Sequence, residues 1–387
     1  MNVYQTFQVN FGPKIVAGAG VLKQLPFETK ELGINKPLIV TDKGLIKAGL
    51  IEKITDVLRE SNISFSIFDE IKTNPDNISV ENGLKVFSEE GCDGLIAVGG
   101  GSPIDVAKSI GVLAANGGRI SDYQGFGKFN NPITPLITIP TTVGTGSEVT
   151  LGAVITDVDS HVKMVIASPK MYASVAILEP ALVQNLPGFI TAATGMDALT
   201  HAIEGYISRG ANPICDALNY KAISMIARSL RQAVTTDNIE HKYNMLLASC
   251  IAGLGFHNAG LGLVHAMASP ISGHYGVHHG VANAILLPYV MKYNLYACPD
   301  RFAEIAEAMG ENVSGMSLME KAEIAIIAVT KLREDVGIPK TLSEVGVNPD
   351  ESKLEIMVQD ALDSIDLPSN PRKYSKDAIK ELFKKAL

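Results

Sequence analysis

The residues of this sequence that could do chemistry are, first, an acid and a group of histidines. Asp197 and His201 are four residues apart, a spacing that places both on one face of a helix, about one turn apart. Between positions 256 and 280 the chain has no Asp, Glu, Lys or Arg, and its background of Gly, Ala, Leu, Val and Met predicts burial. That segment holds five histidines, which are His257, His265, His274, His278 and His279.

Buried imidazoles require polar partners, and one divalent cation satisfies several of them together. Three histidines and one carboxylate suit Fe²⁺ or Zn²⁺, whereas Ca²⁺ and Mg²⁺ prefer oxygen ligands. The sequence therefore predicts a metal site. Two alternatives stay open at this point, namely a carboxylate–histidine pair on a helix and a polar core network, both without a metal.

A glycine-rich segment follows the apolar run Leu95–Val98 and precedes a helical pattern. Three consecutive glycines let the backbone approach a bulky anion closely, so the segment favours diphosphate binding. Ser102 is predicted as the N-cap of the helix, Pro103 as its first residue and Asp105 as the acid of a capping box. The alternative is a tight structural turn.

A second loop, rich in threonine and glycine, follows the apolar run Leu136–Ile139 and suits the oxygens of a cofactor, although a structural turn is an equal alternative. The order of these features differs from an ordinary dinucleotide fold. Asp42, the candidate ribose-binding acid, precedes the glycines, whereas the usual acid comes about 20 residues after them. The glycines at 18 and 20 do not begin a G-x-G-x-x-G fingerprint, because its third glycine position is Lys23.

The pattern of elements changes in the middle of the chain. The first half alternates short strands with helices, which predicts a parallel sheet with crossovers. Its strands are Pro37–Thr41, Ser64–Phe68, Leu95–Val98 and Leu136–Ile139, and its helices are Leu50–Glu60 and Val80–Glu90. The second half has helical periodicity in Thr191–Ser208, Ile214–Val234, His241–Phe256, Arg301–Met309, Met319–Val336, Ser352–Ser364 and Lys376–Ala386. We predict an α/β nucleotide-binding domain over residues 1–186, an all-α domain over residues 187–387, and a cleft between them.

Composition excludes several other classes of protein. With 387 residues, 46% of them hydrophobic, the chain can bury a sizeable core and is not a disordered tail protein. Its net charge of −8 argues against general binding to nucleic acid or an anionic membrane, and no apolar run is long enough to span a bilayer. The four cysteines are far apart and the N-terminus lacks a signal pattern, which predicts a reduced, cytoplasmic protein.

Four motifs together resemble those of the iron-containing (group III) alcohol dehydrogenases, from about Phe11 to the C-terminus. The motifs are Gly99-Gly100-Gly101-Ser102-Pro103, Pro140-Thr141-Thr142-Val143-Gly144-Thr145, Thr194-Gly195-Met196-Asp197-Ala198-Leu199-Thr200-His201-Ala202-Ile203-Glu204 and His279-Gly280-Val281-Ala282-Asn283. The resemblance implies an N-terminal NAD(P)-binding α/β domain and a C-terminal helical metal domain, the architecture that is also found in dehydroquinate synthase.

The resemblance also implies a role for individual residues. Four of them are implied as metal ligands, namely Asp197, His201, His265 and His279. A second set is implied to bind the cofactor, namely Asp42, Asn74, Gly99, Gly100, Gly101, Ser102, Thr141, Thr142, Thr145, Val154, Lys163 and Leu182. Of these, the glycines and Ser102 match the pyrophosphate site and the threonines approach the nicotinamide half. Asp42 matches the acid that bonds the ribose hydroxyls of NAD and repels the extra phosphate of NADP. NAD is therefore the expected cofactor, with NADP as the alternative.

The sequence departs from the family at several histidines. Many members have a second histidine four residues after the position of His265, proposed to help proton movement, and here that residue is Ser269. Conversely, His257, His274 and His278 stand where other residues are usual. We predict that His257 or His274 assists substrate binding or proton transfer, and the alternative is a buried histidine with satisfied hydrogen bonds.

The implied reaction is reversible hydride transfer between nicotinamide and a small primary alcohol, diol or hydroxyaldehyde, with the metal polarising the substrate oxygen. A small, mostly apolar pocket is expected around Phe256, Val154, Gly152 and Leu263. One alternative is a metal- and NAD-requiring lyase or cyclase of the dehydroquinate synthase type, which would use more basic residues. The other is a non-catalytic nucleotide-binding scaffold, against which the intact ligand set argues. The exposed helical faces permit a dimer or larger homo-oligomer.

Overall fold

The computed structural model describes residues 6–72, 74–158 and 163–387. The chain divides into two compact units. The sheet unit comprises Asn10–Thr142 and Gly146–Asn185. The helical unit comprises Leu186–Leu387, the short loop segment Val143–Thr145 and the described N-terminal residues up to Val9.

A six-stranded, wholly parallel sheet is the centre of the sheet unit, with the strand order β1-β9-β6-β4-β2-β3, and a second sheet has the order β5-β8-β7. The strands are β1 (Lys14–Ala17), β2 (Pro37–Val40), β3 (Ser66–Phe68), β4 (Gly94–Gly99), β5 (Gly125–Phe126), β6 (Leu136–Pro140), β7 (Gly152–Thr156), β8 (Lys163–Ala167) and β9 (Val175–Leu178). Every residue of β2, β4, β6 and β9 is buried, which explains why these strands are continuous apolar runs in the sequence.

Helices cover both faces of the large sheet. They are α1 (Leu25–Glu31), α2 (Lys43–Lys47), α3 (Leu50–Glu60), α4 (Asn77–Glu89) and α5 (Gly101–Asn116). Alternate residues of a strand point to opposite faces, so β4 contributes Leu95 to one core cluster and Ile96 to another. The first cluster includes residues of α4 and α5, and the second includes residues of α1 and α3. The predicted α/β fold is confirmed in this half of the chain.

The start of α5 differs from the predicted capping box. The helix begins at Gly101, and its N-cap is Gly100, which has no side chain with which to cap it. Asp105 instead accepts hydrogen bonds from the Ser147 hydroxyl (2.6 Å) and the Val154 amide (3.0 Å). The prediction was wrong because these partners come from a segment about 40 residues later, which local spacing does not show.

Nine helices, numbered on from the sheet unit, form the described core of the helical unit. They are α6 (Gly188–Ile207), α7 (Pro213–Thr235), α8 (Ile239–Ala259), α9 (Leu263–Tyr275), α10 (His279–Asn294), α11 (Pro299–Ala308), α12 (Leu318–Asp335), α13 (Glu351–Leu362) and α14 (Lys376–Ala386). The sequence analysis did not predict α9 and α10, which contain Pro270 and Pro288 and lie in the segment with the histidines. The all-helical class of this half is nevertheless confirmed.

α6 is the central helix of this unit, because every residue from Thr191 to Ile207 is buried. It packs against α7, α8 and α10. In the described part of the chain, no single helix is long and apolar enough to cross a membrane. Among the described helices, the pair α8 and α9 meets that test when taken together, and the chain bends by 108° between them.

Candidate functional site

Three helices of the helical unit bring the predicted metal ligands together. Asp197 and His201 lie one turn apart on α6 and are 4% and 6% exposed. His265 is the third residue of α9 and is 4% exposed, and His279 is the first residue of α10. Residues that are far apart in sequence therefore meet because α9 and α10 both begin beside the middle of α6.

The distances are those of a group that could share one cation. One ligand atom from each of Asp197, His265 and His279 lies within 4.8 Å of the others. His201 is outside that set, but its ring stacks on the ring of His265 with centroids 4.6 Å apart. The Nδ1 atom of His201 is 3.3 Å from the carbonyl oxygen of Gly144. Nε2 is therefore the ring nitrogen with which His201 could bind a cation.

Two glycines allow the close packing around these side chains. A Cβ atom at Gly280 would lie 2.2 Å from the carbonyl oxygen of Ala193, and one at Gly144 would lie 2.4 Å from that of Thr194. Any larger residue would push the start of α10, or the loop segment Val143–Thr145, away from α6. The two glycines thus place His279 and the Gly144 carbonyl where the site requires them.

Burial and hydrogen bonding set the protonation of the site. Burial lowers the pKa of His201 to about 4, so its ring is neutral at pH 7, the form that binds metals. Burial alone would raise the pKa of Asp197, but the neighbouring histidines and the Asn283 amide outweigh it and the pKa is lowered. The Nδ1 atom of His265 donates to Glu204 (2.6 Å), and although burial opposes it, this contact raises the pKa of His265 and makes the ring more basic.

The donor set fits a transition metal. It offers one carboxylate and imidazole nitrogens in a buried place, the ligand types that suit Fe²⁺ or Zn²⁺ and fit poorly to Ca²⁺ or Mg²⁺. Glu204 orients the ring of His265 by accepting from its Nδ1 atom, the arrangement that is usual beside metal-binding histidines. The sequence analysis gave Glu204 no role, although its spacing of seven residues from Asp197 places both on one face of α6.

The predicted cofactor residues of the sheet unit lie mainly at the carboxyl ends of neighbouring strands. β2, β4 and β6 are adjacent and parallel, so Asp42, the glycines and the threonines Thr141 and Thr142 follow strand ends at one edge of the sheet. Open α/β sheets bind ligands at this edge. Thr145 lies in the helical unit instead.

The glycine segment turns sharply at this edge. Gly99 has φ 157°, and a Cβ atom there would lie 2.4 Å from the ring of Pro103. Gly100 has more room but is still close-packed, because its Cβ would lie 3.0 Å from the Thr142 side chain. Asp42 caps α2 by accepting a hydrogen bond from the Leu45 amide (3.0 Å) through Oδ1.

Three further predicted cofactor residues are grouped around the second sheet. Val154 lies on β7 and is 40% exposed, and Lys163 begins β8 and pairs with Thr156 of β7. The Thr156 amide donates to Pro75 (2.8 Å), which brings the exposed Asn74 close to the end of this sheet. Burial lowers the pKa of Lys163. Leu182 lies elsewhere, with its side chain in the core cluster of α1 and α3.

A buried lysine that the sequence analysis missed organises the second loop. Lys108 of α5 is 0% exposed, and its ammonium donates to the carbonyl oxygens of Ser147 (2.7 Å), Thr150 (2.7 Å) and Gly152 (2.9 Å). Asp105, one turn earlier, holds the same segment through its contacts with Ser147 and Val154. The sequence signal that could have revealed this role is the presence of a lysine among the apolar residues of α5.

Two further histidines of the segment between positions 256 and 280 are held by local contacts. His257 lies on α8, where Nδ1 is 2.6 Å from the carbonyl oxygen of Gly253 and Nε2 is 3.0 Å from the Asn258 amide nitrogen. His278 is the N-cap of α10 and accepts from the Gly280 amide (3.2 Å). Ser269 is partly buried on α9.

His274 points away from the ligand group. It is nine residues after His265, a spacing that places it on the opposite face of α9. Its Nε2 atom is 2.7 Å from Asp360 of α13. Lys353 donates to its Nδ1 atom (3.0 Å). The geometry therefore favours a surface contact between α9 and α13 over the predicted role in substrate binding or proton transfer.

We expect the substitution His274→Ala to leave kcat/KM and its pH profile unchanged within about twofold, because the exposed hydrogen bonds of His274 to Asp360 and Lys353 contribute about 1 kcal/mol each at most and only to stability. Steady-state kinetics between pH 6 and 10 measures this. A shifted pH profile would restore His274 as a candidate for proton transfer.

Two family models match the chain, that of the iron-containing alcohol dehydrogenases over residues 12–180 and that of the C-terminal part of the Fe-containing alcohol dehydrogenase family over residues 191–387. The 1,3-propanediol dehydrogenase of Klebsiella pneumoniae is 47% identical over 379 residues, which are 97% of this chain and 96% of that protein. The NAD-dependent methanol dehydrogenase of Bacillus methanolicus is 42% identical over 376 residues, 97% of this chain and 98% of that protein.

A solved structure extends this similarity to the fold. The crystal structure of a 1,3-propanediol oxidoreductase matches with a TM-score of 0.97 and 44% identity, covering 99% of this chain and 100% of that one. Relatives that are similar over nearly their whole length are dehydrogenases, which leaves the lyase and scaffold alternatives without support. This chain therefore belongs to the iron-containing alcohol dehydrogenase family and is a metal-dependent, NAD(P)-linked alcohol dehydrogenase.

Proposed function

We propose that this enzyme interconverts small primary alcohols, diols or hydroxyaldehydes with their carbonyl counterparts, using NAD and Fe²⁺. The observation that carries the proposal is the convergence of Asp197, His265 and His279, with His201 stacked beside them. The activities named for the relatives, on 1,3-propanediol and methanol, support a short substrate.

Asp197 and His201 contribute differently to the site in this proposal. When bound, the cation supplies a Lewis acid for the substrate oxygen, and the nicotinamide accepts or donates the hydride. Asp197 contributes the one negative charge, and the neutral ring of His201 contributes a nitrogen without a charge. The Phe256 ring stacks on His201 at 4.3 Å, so the cluster has an apolar wall on that side. An apolar wall excludes water and favours a short alkyl chain.

Fe²⁺ is proposed over Zn²⁺ on the strength of the family, because the ligand types suit both ions. Metal analysis of protein isolated without oxygen and without added ions decides between them. Iron at close to one ion per chain supports the proposal, whereas zinc at that ratio would assign the other ion.

Activity on short alcohols tests the proposed reaction directly. Apoprotein reconstituted with Fe²⁺ or Zn²⁺ is assayed at 340 nm with NAD⁺ and methanol, ethanol, 1,2-propanediol or 1,3-propanediol, and with NADH and the matching aldehydes. Turnover of the diols and short alcohols that is lost with a chelator and restored by the metal supports the proposal. Activity confined to long or anionic substrates would contradict it.

Asp42 is proposed to set the preference for NAD. It follows β2 at the edge where the glycines lie, and its capping bond to Leu45 uses Oδ1. A carboxylate there can accept hydrogen bonds from ribose hydroxyls and repel the phosphate of NADP. The remaining cofactor residues, at the ends of β4 and β6 and around the second sheet, are proposed to hold the rest of the dinucleotide.

We expect Asp42→Gly to lower the NAD-to-NADP ratio of kcat/KM by about 10- to 100-fold, since a charged hydrogen bond contributes about 1.5–3 kcal/mol. The substitution also removes the cap of α2, so Asp42→Asn, which can keep the cap, is the matched control for stability. A ratio unchanged in both variants would show that Asp42 does not meet the ribose.

Two broader proposals follow from the fold. Residues 1–186 are proposed as the cofactor domain and residues 187–387 as the metal domain of a cytoplasmic enzyme, with the free thiols of the four cysteines supporting a reducing compartment. β1 is an outer strand of the sheet and Ile15 on it is 39% exposed, which favours pairing with a second copy in a homodimer. Sedimentation velocity measures that state, and a monomer at micromolar concentration would contradict it.

A further inference from the structure

A chain of hydrogen bonds connects two of the proposed metal ligands. Glu204 accepts from Nδ1 of His265 (2.6 Å), and it also accepts from the Val264 amide (2.7 Å). On the other side of the ring, Nδ2 of Asn283 lies 3.1 Å from Nε2 of His265 and 2.6 Å from Oδ1 of Asp197. One amide group therefore bridges two ligand atoms that are 3.9 Å apart.

The orientation of that amide follows from the contacts themselves. A carbonyl oxygen of Asn283 placed 2.6 Å from the Asp197 carboxylate would repel it, so the NH₂ group must face Asp197 and His265. Its two hydrogens then go to Oδ1 of Asp197 and Nε2 of His265, and Glu204 keeps the ring proton on Nδ1. That second hydrogen occupies the Nε2 lone pair through which the ring would bind a cation. The bond from Asn283 to His265 must therefore break when a cation binds, whereas the bond to Asp197 can remain.

Asn283 makes these bonds at a cost to the fold. The residue is 0% exposed, and its Oδ1 atom is buried without a hydrogen-bond partner among the described residues. An unpaired buried carbonyl oxygen is destabilising. Asn283 is also four residues after His279, so both project from the same face of α10.

We propose that Asn283 is a positioning residue that holds the Asp197 carboxylate beside the other ligands and so raises the affinity of the site for its cation. The inference rests on the proposed metal site. Asn283 orients the carboxylate and Glu204 orients the imidazole, so both meet the cation with little side-chain freedom left to lose.

Binding of Co²⁺ to the full-length apoprotein tests this role, because Co²⁺ prefers similar ligands and its visible absorption reports the ligand geometry. Asn283→Ala removes the bridge, and Asn283→Leu removes it while keeping the shape of the side chain. We expect both variants to bind Co²⁺ about 10- to 100-fold more weakly, with an altered spectrum.

Asn294→Ala is the matched control. Asn294 lies on the same helix, is 1% exposed and exchanges two amide hydrogen bonds with Asn370 (2.9 and 3.0 Å). This variant is expected to lower the unfolding temperature of the apoprotein while leaving the Co²⁺ affinity and spectrum unchanged.

The outcomes separate the two proposals. Wild-type protein that fails to bind Co²⁺, or binds it equally well after Asp197→Ala, refutes the metal site itself. Wild-type binding that both Asn283 variants reproduce within twofold, with the same spectrum, overturns the role of Asn283 alone. If neither variant folds as apoprotein while Asn294→Ala does, Asn283 serves the fold rather than the cation, and the inference is equally overturned.

Discussion

Replacing His279 by alanine is expected to weaken cation binding by about 100- to 1,000-fold and to lower kcat/KM by a similar factor at limiting metal. Zinc-finger peptides with four ligands bind zinc with roughly 10–16 kcal/mol, so one ligand contributes about 2.5–4 kcal/mol. His279 is the preferred target because it is the first residue of α10 and is less buried than Asp197 or His265. Its loss therefore disturbs packing less. Metal content after dialysis and steady-state kinetics measure the effect.

The control for this experiment is His274→Ala, the same change on α9 at a position nine residues after His265. It should retain the wild-type metal content, because His274 contacts Asp360 and Lys353. Partial recovery of His279→Ala activity in excess Fe²⁺ would support a binding defect. A His279→Ala protein that keeps both its metal and its activity would remove His279 from the ligand set.

Lys108→Met is expected to destabilise the sheet unit by about 3–5 kcal/mol and to lower its unfolding temperature by roughly 10 °C. The methionine fills much of the same volume, but the carbonyl oxygens of Ser147, Thr150 and Gly152 lose their donor. Burial lowers the pKa of Lys108 to about 8, and the nearby Asp105 opposes that shift. Because the two side chains interact, the substitution also removes a positive charge from beside the Asp105 carboxylate. Thermal unfolding followed by circular dichroism measures the change.

The matched control is Lys85→Met on α4, where the side chain is 71% exposed and its ion pair with Glu89 spans 3.8 Å. The same chemical change there should alter stability by no more than about 0.5 kcal/mol. Equal unfolding temperatures for the two variants would show that Lys108 is dispensable. A weaker NAD affinity in Lys108→Met alone would further connect this lysine to the loop that follows β6.

Local sequence signals account for much of the fold. Buried parallel strands are short apolar runs, so β2, β4 and β6 could be located within a residue or two. Amphipathic helices such as α3, which covers Leu50–Glu60 as predicted, were equally clear. By contrast, α9 and α10 contain prolines and have few polar residues to mark a solvent face, so their periodicity was hidden.

Contacts between distant segments could not be predicted. Asp105 was assigned to a local cap, but its partners Ser147 and Val154 are 42 and 49 residues away. His265 and Glu204 are 61 residues apart, and only the folded chain shows that they meet. Residue type and spacing indicated the Asp197–His201 pair and a buried segment with five histidines, and the family resemblance then implied which four residues are the ligands. Because α9 was not predicted, the sequence analysis could not show that His265 and His274 project from opposite faces of one helix.

Because three of the four cysteines are buried and the fourth is partly exposed, their reaction with a thiol reagent can report whether the protein is folded. Cys92, Cys215 and Cys250 are buried, and burial raises the pKa of the partly exposed Cys298 to about 12. A disulfide reagent such as Ellman's attacks thiolates, so the native fold should react slowly at neutral pH. Denaturation releases all four sulfhydryl groups, and the kinetics of their colour reaction would then follow global opening without any introduced label.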